Sequence, residues 1–236
     1  MLLAASLLVV TGCGGSDKDE PSNTTVAAPP TTAVDVSQDQ AKVDAAVLKA
    51  EDFPANWERT PAEPEDQTAD DSDAKVAACL GLPDPSTVQT ADASSDTFTL
   101  NQTTIVSSSV TAYKTEADAE TQFNATKDES KDDCFVDEFK SLLADGLDPS
   151  LSSADLKVEV SRITGLATDD NSQAIRLKLA GSPQTQGQSI YFDILATQSS
   201  RFENDVLFLT VGAEPDATLE SDLLANAKDR VQKVAS

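Results

Sequence analysis

The sequence predicts an α+β domain: a curved antiparallel sheet of about five strands, flanked by helices and closed by one disulfide. Three observations carry that expectation. The last third alternates apolar and polar residues, strictly in Leu156 to Val160 and Ile175 to Leu179, more loosely in Ile190 to Ile194. Its connections are short and turn-rich, at Thr168 to Asn171, Gly181 to Gly187 and Ser199 to Asn204, which suits a meander of hairpins with one face covered. The stretches around this meander carry helical stripes and capping signals instead.

In chain order, Met1 to Gly15 comes first. An apolar run from Leu2 ends in Val10-Thr11-Gly12-Cys13. The run is too short to span a bilayer, which takes about 20 apolar residues. It fits the core of a secretory signal with small residues at the cleavage point. The expectation is a signal peptide over 1–12, cleavage before Cys13, and acyl chains on the new N-terminal cysteine, with two or three chains giving stable anchoring. No Lys or Arg precedes the run, so basic residues are expected upstream of Met1. The bland alternative is an unlipidated signal. Residues 13–36, rich in Ser, Thr, Pro, Ala and Asp, read as a tether without enough apolar surface to order itself. Its Thr pairs beside prolines, Thr24-Thr25 and Thr31-Thr32, could carry O-linked sugars or none.

Residues 37–236 read as a single extracytoplasmic domain. Ser37 to Gln40 has the form of a capping box, and Val43, Val47 and Ala50 recur at helical spacing. Phe53-Pro54 ends that helix. Phe53 and Trp57 are expected to pack on the domain edge, with ligand stacking by Trp57 the rarer alternative. Asp70 to Asp73 lacks the Gly and terminal Glu of a calcium loop, so it reads as a solvated run capping the next helix. That helix is expected from Asp73 to Leu82, with Gly81 as its C-terminal cap and Pro83 and Pro85 beyond it. Asp84 to Asn101 reads as a polar connection with a short strand at Thr97 to Thr99. The β-branched run Thr104 to Tyr113 is a strand with Val106, Ser108, Val110 and Ala112 on one face. Thr115 to Asp118 caps a helix carrying Ala119 and Phe123, expected to reach Lys131. A further helix follows Cys134 and ends near Gly146. Val206 to Val211 is a central strand. The last helix opens near Asp216 and carries Leu219, Leu223, Ala227 and Val231 on one stripe.

Composition narrows the function classes. Against 17 basic residues stand 41 acidic ones, a net charge of −24, so phosphate backbones and anionic headgroups are not its partners. The chain has no histidine, which removes the commonest general base and metal ligand. No Gly-x-Ser-x-Gly elbow, Ser-x-x-Lys helix start or phosphate-cradling glycine loop occurs, and carboxylate pairs among 41 acids arise by chance. An enzyme is not expected, and neither is a metal or a cofactor. With Cys13 lipidated, Cys79 and Cys134 remain, in an oxidising compartment where a structural disulfide is the expectation. Two thiols without histidine fall short of a zinc site, and no Cys-x-x-Cys spacing marks a redox pair.

The order Ala78-Cys79-Leu80-Gly81, a strand ending Ser108-Ser109-Val110-x-x-Tyr113, a helix with Ala117, Ala119 and Phe123, then Cys134, a strand meander and a terminal helix resembles a known family. It is similar, over about Val43 to Val234, to the extracellular sensor domain of actinobacterial membrane serine/threonine kinases of the PknH type, which also occurs in free-standing lipoproteins. The resemblance implies a helix-flanked antiparallel sheet with a cleft for an extracellular ligand. The family's second disulfide has no counterpart in this chain, and neither a kinase domain nor a membrane-spanning helix accompanies it. The resulting expectation is a monomeric, non-catalytic, sensor-like lipoprotein on the outer face of the cell membrane, binding an unknown small molecule or envelope ligand. Tyr113, Tyr191, Phe192 and Phe208 would line the cleft. The alternative is a structural or interaction lipoprotein that meets a basic protein.

Overall fold

The computed structural model of the chain describes residues 35–62, 67–146, 156–167, 169–180 and 187–236, with the side chains of 67–73 and 141–146 left aside. Lipidation at Cys13, the tether and its glycosylation therefore lie outside the described residues. Six α-helices and eight strands are present among those residues. The helices are α1 (Asp39–Ala46), α2 (Gln67–Leu80), α3 (Pro85–Val88), α4 (Glu116–Ala125), α5 (Asp132–Gly146) and α6 (Ala217–Ala235). The strands are β1 (Glu58–Thr60), β2 (Gln89–Ser94), β3 (Thr97–Leu100), β4 (Thr104–Tyr113), β5 (Val158–Arg162), β6 (Ser172–Leu179), β7 (Ile190–Ser199) and β8 (Phe202–Val211).

All pairings are antiparallel, in the order β1-β3-β4-β8-β7-β6-β5, with β2 on the same edge of β4 as β3. The α+β class and the disulfide stand as expected; the strand number is corrected from about five to eight. β2 and β3 form one kinked ribbon against β4, since Ser94 faces Ser109 while Phe98 faces Val106. Ser95 fills the kink: its N–H donates to the Ser108 carbonyl at 2.7 Å and its Oγ accepts from the Ser108 N–H at 2.8 Å. A ladder position lost to the bulge is thus satisfied by a side chain.

The sheet has two apolar faces. On one, α6 and α1 pack. Leu223, Leu224 and Ala227 of α6 meet Phe98, Val106, Ala174, Leu195, Val206 and Phe208, joined by Leu48 and Phe53. Val43, Ala46 and Val47 meet Ala91, Val110, Ala112, Phe202 and Val231. The alternation expected of β4 is realised here, because Val106, Ser108, Val110 and Ala112 are all buried on this face. On the other face, Phe139 of α5 packs on Ile175, Leu177, Leu179 and Ile190. Ala119 and Phe123, the stripe expected of α4, are buried beside it.

Helix ends follow the local chemistry with one exception. Gly81, at φ +79°, closes α2, and the Leu82 N–H reaches back to the Ala77 carbonyl at 2.8 Å. Thr115 caps α4 by accepting from the Asp118 N–H at 3.1 Å, and Asp216 caps α6 by accepting from the Thr218 N–H at 2.9 Å. The Ser37 box does not form. The Asp35 carboxylate takes the Ser37 N–H, α1 starts at Asp39 with Gln38 at its cap, and no side chain closes that end. Asp70 to Asp73 lie within α2 rather than ahead of it. Among the described residues no helix is long and apolar enough to cross a membrane.

Candidate functional site

Three chain segments converge beyond the ends of β4 and β8. The first is Pro54 to Trp57, where the Trp57 N–H donates to the Pro54 carbonyl at 3.2 Å. Phe53 anchors it, stacked on Phe98 at 3.9 Å, with Trp57 tilted against it at 5.2 Å. The second is the β3–β4 turn, in which Asn101 and Gln102 take φ values of 52° and 60°. The third is the link from β8 into α6. Its Thr210 hydroxyl donates to the Ala213 carbonyl at 3.1 Å, and the Val211 N–H donates to the Thr103 carbonyl at 2.9 Å.

Between them lies a cleft of about 460 Å³. Trp57, Leu100, Phe208, Val211 and Leu219 supply its apolar wall; Thr103, Thr104, Thr210 and Thr218 supply hydroxyls; Glu214, Asp216 and Asp222 stand at its rim. The lining divides about evenly between apolar and polar side chains, a more polar mixture than most small-molecule sites have. A second hollow of similar size, about 470 Å³, lies between the end of α2 and α4, lined by Leu80, Leu82, Glu120, Thr121, Asn124, Ala125, Asp128 and Lys131. It is open to solvent and carries no aromatic wall.

The acidic rim is tied to a buried charge cluster under α6. Arg176 of β6 and Asp193 of β7 are opposite each other and pair bidentately, Nε to Oδ1 at 2.9 Å and Nη2 to Oδ2 at 2.6 Å. Arg176 Nη1 donates to Glu214 at 3.2 Å on the rim, and Nη2 stands 3.5 Å from Glu220. Glu220 is 1 % exposed, and its carboxyl lies against that of Asp193. Burial first, and then the Asp193 carboxylate beside it, push its carboxyl up to about 8, so it holds its proton at neutral pH.

The four cleft aromatics expected from the sequence are separated by the sheet, which corrects the idea of one cleft lined by all of them. Alternation along each strand puts Phe208 and Tyr191 on the α6 face, Phe192 and Tyr113 on the α5 face. Phe208, fully buried, lies beneath the floor of the cleft. Tyr191 serves as a platform for the Arg176 guanidinium, 5.7 Å above its ring. Phe192 stacks on Phe139 at 5.3 Å, and Tyr113 donates its hydroxyl to Glu203 at 3.0 Å beneath α4. Burial raises the Glu203 carboxyl well above its ordinary value, Asp205 adds to that, and the Tyr113 bond opposes it. Phe53 and Trp57 pack together against the core as expected, and Trp57 also lines the cleft. Leu100, Thr103, Leu219 and the Glu214 to Asp216 stretch are not expected from the sequence to line a site; it marks Leu219 and Asp216 only as parts of the last helix. The signal for the last of these was a strand end followed four residues on by Pro215 and then a capping Asp216.

Cys79 and Cys134 are bonded, with their Cα atoms 5.8 Å apart, joining α2 to the first turn of α5. Among the described residues no group of His, Cys, Asp and Glu side chains is arranged to hold a metal ion.

No family model matches the chain, and no curated protein matches it. Among solved structures it is similar to the extracellular domain of PknH from Mycobacterium tuberculosis, at 12 % identity over 82 % of this chain and 96 % of that one, with a TM-score of 0.45. At that level the two share a general likeness of chain path, and nothing about function passes between them.

Proposed function

We propose that this chain is a non-catalytic, extracytoplasmic ligand-binding domain, held at the membrane through acyl chains on Cys13, with the cleft beside Trp57 as its site. The observation that carries the reading is the cleft itself, an apolar floor closed by Trp57 on one side and by the first turns of α6 on the other. The Cys79–Cys134 bond supports an oxidising compartment, and Val10-Thr11-Gly12-Cys13 supports lipid attachment.

Trp57 is the only tryptophan, so intrinsic fluorescence reports on the cleft without labelling. In detergent micelles the full chain, titrated with fractionated envelope extract, is expected to change its Trp57 emission and to melt at a higher temperature with one fraction. A flat response across lipid, glycan and muropeptide fractions would remove the ligand-binding reading. Anchoring is tested separately by fractionation: Cys13→Ala is expected to leave the membrane pellet, and a variant that still sediments with membranes contradicts it.

A second reading, a structural lipoprotein docking a basic protein, is favoured by the net charge of −24. It predicts one dominant crosslinked partner in cells, released by salt.

A further inference from the structure

We infer that the ligand of the Trp57 cleft is an organic cation: an ammonium or guanidinium group carried on an apolar or ring-shaped body. This rests on the cleft being a ligand site and specifies the chemistry it accepts. Three features of the lining point the same way. The first is charge. Every ionisable side chain of the lining is a carboxylate, Glu214, Asp216 and Asp222, and no Lys or Arg is among them.

Two of those carboxylates already have work within the fold. Glu214, 62 % exposed, accepts from Arg176, and Asp216 caps α6. That leaves Asp222, exposed one turn along α6, without an ion-pair partner among the described residues. Nor does Arg176 neutralise the rim, because its charge is already met bidentately by Asp193. The cleft mouth thus keeps a net negative potential, set in a chain of net charge −24.

The second feature is the balance of donors and acceptors. Carboxylates only accept, whereas ammonium and guanidinium only donate. A neutral sugar presents both kinds of group and could meet its acceptors only at the threonine hydroxyls and the Asn56 amide, gaining nothing from the charge of the rim. An anion such as a phosphate headgroup or a muropeptide carboxylate would be repelled.

The third feature is the wall. Trp57 borders the cleft together with the acidic rim, and a cation held between an indole ring and a carboxylate gains from both. Leu100, Val211 and Leu219, all partly exposed, then take the apolar body. A bare metal ion would gain nothing from that surface.

The test uses three probes of one size and shape, phenethylammonium, phenethyl alcohol and phenylpropionate, titrated against the full chain in a non-ionic detergent. Trp57 fluorescence and calorimetry are both read. The expected order is ammonium at least tenfold tighter than alcohol, with no binding of the carboxylate, and an ammonium affinity that falls as salt rises. Asp222→Asn is expected to cut that preference several-fold without moving the melting temperature. Trp57→Leu is expected to abolish the calorimetric signal while leaving the circular dichroism intact. Alcohol binding as tightly as ammonium, or an unchanged preference in Asp222→Asn, overturns the cation assignment but leaves the cleft as a ligand site. Absence of binding by all three probes to a cooperatively melting chain overturns both.

Discussion

The two faces of the sheet are held by different means. Against the α6 face the contacts are stitched by buried charge. Asp39 of α1, with no exposed surface, receives both terminal nitrogens of Arg201 from the β7–β8 turn, Nη1 at 2.6 Å, and the Thr90 hydroxyl at 2.5 Å. The same Arg201 donates to the Tyr113 carbonyl at 3.0 Å and lies 4.8 Å from the Phe202 ring. Burial alone would raise the Asp39 carboxyl; the Arg201 and Thr90 hydrogen bonds outweigh it and hold the group below its ordinary value. Ser108 Oγ accepts from the Leu48 N–H at 2.9 Å, and Asn204 donates to the Ala46 carbonyl at 3.0 Å. Against the α5 face the closure is mainly covalent and apolar: Cys134 fixes α5 to α2 and Phe139 lies on β6 and β7, with one part-buried ion pair, Arg162 to Asp132 at 2.6 Å, beside them. A face tied by charge should be sensitive to protons and to loss of one partner. A face tied by sulfur should be sensitive to reductant.

The largest expected effect is on the charged side. Arg201→Met leaves Asp39 buried without its cation, a class of change that costs about 3–5 kcal/mol. The double variant Asp39→Leu with Arg201→Met removes the stranded charge and is expected to recover a good part of that loss, giving strong coupling in a double-mutant cycle read by urea unfolding. A single variant within about 1 kcal/mol of the parent would show that the pair behaves as an exposed one and that the charged face is not tied this way.

The covalent side comes next. Removing the bond as Cys79→Ser with Cys134→Ser opens a loop between cysteines 55 residues apart. Disulfide losses of this kind amount to about 2–4 kcal/mol. The sharper readout is local: amide exchange should quicken in α2 and α5 and stay unchanged in α6. Equal quickening in α6 would mean that the two faces do not open independently.

The same contrast explains what could be read in the sequence. The strands that alternate, β5 to β7, and the β-branched β4 were legible because period and composition agree. β2 was not, because Gln89 to Ser94 carries neither β-branched aliphatics nor aromatics. Its inward residues are Ala91 and Ala93, small where the Val43 to Val47 stretch packs against them. β8 was expected to begin at Val206, yet it begins at Phe202. Glu203, Asn204 and Asp205 read as a loop until the Tyr113 hydroxyl and the Ala46 carbonyl supply partners for two of them. Those partners are 90 and 158 residues away, beyond any local pattern. The cleft escaped for a similar reason. It is made where three loops meet, and among the aromatics singled out for it only Phe208 points there.

The finest distinction between the faces is a matter of protons. Each face buries one glutamate: Glu220 next to Asp193 and Arg176 on one side, Glu203 beneath the Tyr113 hydroxyl and near Asp205 on the other. Both carboxyls sit above their ordinary range, Glu220 at about 8. An acid whose native pKa is raised binds its proton more tightly folded than unfolded, so stability falls as pH climbs from the unfolded value toward the native one. The chain has no histidine, and Cys79 and Cys134 are bonded, so few other side chains titrate between about pH 5 and 8. The carboxylates held low, such as Asp39 and Asp169, change stability only at more acidic pH. Urea midpoints should therefore decline from pH 5.5 to 8.5. Glu220→Gln, neutral at every pH, should flatten part of that decline, and adding Glu203→Gln should remove most of the rest. If Glu220→Gln declines as steeply as the parent, Glu220 is ionised in the native state, and its proton plays no part in how the α6 face tolerates so much buried charge.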